Sequence, residues 1–194
     1  MKGSHAAPPA FLFFGVFSGY KALLSRVRDQ IVARYGPLHL RGESAIFPFP
    51  ETRTYGRTMG QNLLRQFFVL ATPWPQDGLA PVKREAILLE ERIQSKGTFP
   101  VERPVNIDPG LINDCRIVLA STKDYAHRIY RCDGIWEEVT LYFEGGEYRP
   151  LPWTYPDFRS KEYHAFFAPL RQELLDLTRS GRATTPPPSA PPLP

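Results

Sequence analysis

The sequence predicts an α+β domain, or an α/β sandwich, on one mixed or antiparallel sheet with about three helices. Three observations carry this. Residues 11–18 (FLFFGVFS) are continuously apolar and lead straight into a stretch with helical spacing. Asp133-Gly134 joins two runs rich in β-branched and aromatic residues, a hairpin signal because both central residues of such a turn need positive φ. Two further stretches, 81–94 and 160–177, have a helical apolar period.

Residues 1–9 read as a flexible leader, 10–178 as one globular domain and 179–194 as a disordered Pro-rich tail. The run at 11–18, bounded by Pro8-Pro9 and Ser18-Gly19, fits a strand buried on both faces. Residues 20–35 place Leu23, Leu24, Val27, Ile31 and Val32 on one stripe, and Gly36-Pro37 ends the helix. Residues 38–49 are expected as an edge or extended segment, and 51–60 (ETRTYGRTMG) as a loop. The run at 63–70 fits a strand or a helix end, broken at Pro73-Trp74-Pro75. Pro81 suits a first helical turn and Gly97 a stop. That opening half resembles a β-α-β-β-α-β ferredoxin-like order.

Further on, 105–107 reads as a short strand, Asp108-Pro109-Gly110 as a tight turn and 116–120 as a strand. The Asp133-Gly134 hairpin and a second turn at Gly145-Gly146 make a C-terminal meander. Residues 150–156 (PLPWTYP) are expected to be extended. Ser160 is a candidate N-cap for the last helix. An ideal two-residue turn sets Ile129 opposite Glu138, Arg128 opposite Val139 and His127 opposite Thr140. By alternation, Arg128, Ile135, Glu137, Val139, Leu141 and Phe143 then face the core, and His127, Glu138 and Thr140 the other side.

Composition narrows the function classes. The chain has 194 residues, 42% hydrophobic and 23% charged, with formal charge +4. That balance allows an anionic partner, but no dense Lys/Arg block marks a nucleic-acid surface. Cys115 and Cys132 have neither metal-ligand spacing nor a disulfide framework, which suits a reducing cytoplasm. The apolar run at 11–17 is too short to span a bilayer and lacks a convincing cleavage site, so no membrane or secretory role is expected.

The runs NIDPG, VLASTKDYAHRIY, DGIWEEVTLYF and PLPWTYPDFRS, with Gly36-Pro37 and Met59-Gly60, resemble a bacterial family, the domain of unknown function 4416 family, over about residues 11–177. The resemblance implies a compact cytoplasmic bacterial protein, in a family without an established activity and with no catalytic residues to carry over. Some members carry a GTP-binding label. Arg57 and Thr58 replace a more acidic loop, Trp136 stands for a tyrosine, and the proline tail lies outside the match.

A P-loop needs GxxxxGK[ST], and this sequence has none. Gly15 and Gly19 have the strand-to-helix setting only. The helix start after Ser18-Gly19 offers free N–H donors to an anion or is a plain turn. In Ser121-Thr122-Lys123-Asp124 the lysine and aspartate are adjacent, unlike a guanine-reading Asn/Thr-Lys-x-Asp segment.

The remaining chemistry gathers in one polar set. His127 with Glu138 suits a general acid-base pair. Asp108, Lys123, Asp124, Arg128 and Thr140 are the candidate ligand-binding residues, the cations meeting anionic oxygens and the carboxylates positioning a hydroxyl or a divalent metal. Equally, Lys123, Asp124 and Arg128 fit a salt-linked loop, and Arg128 with Glu137 must pair if buried. The expected function is binding of a small phosphate- or nucleotide-containing anion. The alternatives are a metal-assisted hydrolase or phosphotransferase at the same cluster, and a non-enzymatic interaction module using Trp153 or the Pro-rich tail.

Overall fold

The computed structural model describes residues 7–49 and 53–181. Most of the expected leader and tail lie outside them. Strand β1 (Ala10–Ser18) is the centre, and all nine of its residues are buried. It pairs antiparallel with β4 (Leu64–Trp74) on one side and β5 (Asn106–Ile112) on the other. With β2 (Leu38–Glu43), β6 (Arg116–Ser121), β8 (Ile135–Glu144) and β7 (Ile129–Cys132), the sheet order is β2-β4-β1-β5-β6-β8-β7. Short β3 (Phe47–Pro48) pairs with β4, and β9 (Glu147–Pro150) with β8. Every pairing is antiparallel.

The strong apolarity of β1 follows from its two covered faces. Leu12, Phe14 and Val16 pack with Leu23, Leu24, Val27 and Ile31 of α1 (Lys21–Tyr35) and with Val82, Ala86 and Ile93 of α3 (Leu79–Ser95). Phe11 and Phe13 point the other way, onto Tyr163, Phe167, Leu170 and Leu174 of α4 (Lys161–Arg179). Each such phenylalanine stabilises the fold by roughly 1.5–3 kcal/mol relative to exposure. β1, α1, β2, β4, α3 and β5 form the β-α-β-β-α-β unit, with the antiparallel order β2-β4-β1-β5. Gly36, at φ 100°, ends α1, and the Ser160 hydroxyl caps α4 by accepting from the Tyr163 N–H.

Several local expectations change. Within the stretch expected as a loop, Arg53–Met59 form a helix, α2, making four α-helices among the described residues. β4 runs through Pro73 to Trp74, so Pro75 is the break. Residues 151–154 turn, with the Thr154 N–H bonded to the Leu151 carbonyl at 3.1 Å, rather than extending. Asp108-Pro109-Gly110 lies in the middle of β5 instead of in a tight turn. The strand needs that glycine, because a Cβ there would sit 2.5 Å from the Phe13 ring and the Val118 carbonyl. It tolerates the proline because β6 joins β5 only from Gly110 onward.

The hairpin turn stands, with Asp133 at φ 52° and Gly134 at φ 76°, but the register does not run on ideally from it. A bulge between Tyr130 and Cys132 sets Ile129 opposite Glu137 rather than Glu138. A second irregularity pairs Ile117 with Leu141 but Val118 with Val139, leaving Thr140 as the extra residue. Leu141 and Phe143 therefore turn onto the α4 side, while Ile135 stays on the side of α1 and α3.

Candidate functional site

A cleft opens where β6 parts from β5. The two strands pair at Gly110, Leu111 and Ile112, and below that β6 pairs only with β8. The backbone of Ile107 is then left without a strand partner on that side, and α3 supplies one. Lys83 Nζ donates to the Ile107 carbonyl at 2.8 Å, and Glu90 Oε1 accepts from the Ile107 N–H at 2.7 Å. Seven residues apart, the two side chains lie on one face of the helix and replace the missing strand. The opening has a volume of about 470 Å³, within the range of roughly 300–1,000 Å³ for small-molecule sites.

Asp108 is the deep anchor. Its carboxylate meets Lys83 Nζ at 3.1 Å, Arg65 at 3.2 Å and Asn106 Nδ2 at 2.7 Å. Burial pushes this carboxyl up, but Lys83 and then Arg65, with the Asn106 hydrogen bond, outweigh it and hold the group below the ordinary aspartate value. Arg65 also pairs with Asp157 at 2.6 Å, and both side chains are almost fully buried. Its guanidinium lies 4.7 Å from the ring centroids of Phe17 and Phe49, a stacked, paired setting that suits arginine. Arg103 closes that end on Glu90 at 2.7 Å and also touches Asn106.

The outer wall is organised by Arg128. Its Nε donates to Glu138 at 2.7 Å, one nitrogen donates to the Ser121 hydroxyl at 2.6 Å and the Lys123 carbonyl at 2.9 Å, and the other to the Tyr155 hydroxyl at 2.6 Å. Ser121 and Tyr155 thus accept from a cation while, among the described residues, their own protons have no acceptor. Burial, followed by the Glu138 charge, pushes the Tyr155 phenol up, so it stays a donor. Lys123 lines the same wall, and its Nζ has no hydrogen bond or ion pair among the described residues.

Of the residues singled out from sequence, Asp108, Lys123 and Glu138 line the cleft. His127 approaches Glu138 at 3.1 Å, but from a turn before β7, with its ring stacked on Trp153 at 5.1 Å. Thr140 is fully buried and bonds Glu138 at 3.3 Å from beneath. Asp124 is exposed and does not line the cleft. Arg128 does not itself line the cleft, and Glu138, Ser121, Lys123 and Tyr155 take four of its five N–H donors. Nor does it pair with Glu137, which sits half-buried beside Arg131 at 3.3 Å. Ser18 closes its own turn, donating to the Pro104 carbonyl at 2.6 Å and accepting from the Tyr20 N–H at 3.0 Å.

Sequence reasoning missed Arg65, Lys83, Arg103, Asn106 and Asp157. One signal was present: Arg65 is a lone charge inside an otherwise apolar strand, LRQFFVL, where burial demands a counter-ion. The family model described as Domain of unknown function (DUF4416) matches residues 8–174. The chain belongs to the DUF4416 family. Comparisons with curated proteins and with solved structures find no match. In this DUF4416 member the motifs NIDPG, VLASTKDYAHRIY and PLPWTYPDFRS supply three walls of one cleft. Among the described residues no helix is long and apolar enough to cross a membrane.

Proposed function

We propose that this DUF4416 protein binds a small anionic ligand, phosphate- or nucleotide-containing, in the cleft between β5 and β6. The observation that supports the reading is a set of unspent donors on one wall: Lys123 Nζ and the hydroxyl protons of Ser121 and Tyr155. Because Arg128 already engages both hydroxyl oxygens as acceptors, their protons are strengthened as donors. Four cations, Arg65, Lys83, Arg103 and Lys123, line the cleft against three carboxylates, Asp108, Glu138 and Asp157, so an added anion has a net attraction to meet. Aromatic walls at Tyr55, Tyr155 and Phe158 suit a ligand with a planar or sugar-like body.

A metal-assisted hydrolase or phosphotransferase finds less support. Among the described residues no three His, Cys, Asp or Glu side chains gather as a metal group, and Lys83, Arg65 and Arg128 already take the cleft carboxylates. An interaction role for Trp153 also finds less, since its Nε1 donates to the Val139 carbonyl at 2.9 Å and its ring rests on His127. Two free, exposed cysteines, Cys115 and Cys132, support a reducing compartment such as the cytoplasm. The test is thermal stabilisation by inorganic phosphate, pyrophosphate, sugar phosphates and nucleotides. At least one should raise the Tm of the wild type and not that of Lys123→Ala; a wild type indifferent to all of them overturns the reading.

A further inference from the structure

A second cavity, of about 280 Å³, lies between α1 and α3 on the sheet face away from α4. Its floor is Phe14 and Ile107, and its apolar walls include Ile31, Ala86 and Leu89. Two features set it apart from a packing gap. Gln30 lines it, and the side-chain carbonyl oxygen of this residue is buried with no hydrogen-bond partner, an unfavourable arrangement unless something donates to it. At the rim, Glu85 is taken by Arg34 at 2.6 Å and by the Tyr35 hydroxyl at 2.6 Å. The Arg92 guanidinium, which also lines the cavity, has no ion pair or hydrogen bond among the described residues.

We propose that this cavity is a second ligand site, taking a small amphipathic carboxylate with an apolar body and one O–H or N–H donor. The body fills the space between Phe14, Ile31 and Leu89, which water would occupy poorly because the walls are apolar. The donor satisfies Gln30, and the carboxylate meets Arg92, whose planar fork matches it bidentately. The chemistry differs from that of the cleft, where several cations and hydroxyls converge and a phosphate would be met.

The experiment is a calorimetric and thermal-shift titration of the full chain with a panel of hydroxylated aromatic and short hydroxylated aliphatic carboxylates, each beside its neutral amide. At least one acid should bind and raise Tm, with its amide about tenfold weaker, the loss expected for one charge-assisted hydrogen-bond pair. Arg92→Gln, a surface change, should weaken the acid by the same factor and leave the amide unchanged. Ala86→Leu, which fills the cavity, should abolish binding of both, with circular dichroism confirming that the variant folds. Should Ala86→Leu fail to fold, the Arg92→Gln comparison decides alone. Absence of binding by every acid overturns the proposal, as does binding that Arg92→Gln leaves intact. Response to inorganic phosphate reports on the cleft and should be the same in Arg92→Gln as in wild type, so the two sites fail separately.

Discussion

Arg128 and Glu138 form a 2.7 Å ion pair in which each side chain is 1% exposed. Strict alternation from the hairpin turn would have sent them to opposite faces. They meet because Arg128 precedes β7, held in a turn by its N–H bond to the Tyr125 carbonyl at 2.9 Å, so strand alternation does not govern its side chain. The pair is closed by Ser121, Tyr155 and Thr140.

Removing one partner should therefore cost far more than removing both. Glu138→Ala strands a buried guanidinium and should destabilise the protein by about 3–5 kcal/mol in urea denaturation. The double variant Arg128→Met/Glu138→Leu should recover most of that loss while losing ligand stabilisation, because the Ser121 and Tyr155 hydroxyls are no longer oriented. His127→Ala, at a partly exposed ring, should cost no more than about 1 kcal/mol. Equal losses for Glu138→Ala and the double variant would mean that the pair is not the unit described.

Lys123→Ala should separate binding from folding. The residue is exposed and its Nζ has no hydrogen bond or ion pair among the described residues, so the unfolding free energy from urea denaturation should change by less than about 0.5 kcal/mol. Phosphate-type ligands should bind about tenfold more weakly, the loss of one charge-assisted bond. Added salt should narrow the difference, since an exposed charge is screened. A titration showing equal affinity would remove Lys123 from the site.

Asp108 predicts a pH dependence with a definite sign. Its folded-state pKa lies below its ordinary value of 3.8, so folding favours the ionised form. Its contribution is complete above that ordinary value and is lost as pH falls through the depressed folded value. Asp108→Asn should be less stable near neutral pH and should show a shallower loss of stability below about pH 4. Parallel acid-unfolding curves for the two proteins would contradict this.

Gly110→Ala tests the crowding inside β5. A Cβ there would meet both a ring carbon of Phe13 and the Val118 carbonyl at 2.5 Å, and the carbonyl cannot move without breaking the β5–β6 ladder. The expected loss is about 1–3 kcal/mol or more, read as a lowered Tm. Gly134→Ala is the contrast, with open space around it but φ at 76°, so its smaller cost should come from backbone strain alone.

Much of the fold was legible because it is written locally. The apolar run of β1, the stripe of α1 with its glycine stop, the Ser160 cap and the Asp133-Gly134 turn each declare themselves within a few residues. The errors fell where neighbours far along the chain decide. Asp108-Pro109-Gly110 reads as a turn in isolation, yet Phe13 on one side and Val118 on the other draw it into a strand. The bulges at Arg131 and Thr140 leave no mark in the alternation of apolar residues, and the one at Thr140 decides which way Leu141 faces.

What local chemistry settled by itself is the α+β class, the order of most elements and a polar set that already held Asp108, Lys123 and Glu138. Only the tertiary structure decided that β6 leaves β5, that Lys83 and Glu90 take its place, and that Arg65, Asn106 and Asp157 join the cleft. The reason is electrostatic as well as geometric. A charge can be buried only beside its counter-charge, and those partners lie 43 residues apart for Arg65 and Asp108 and 92 apart for Arg65 and Asp157. No pattern within a strand or helix reports on such a distance; the folded sheet brings the groups within 3.2 Å.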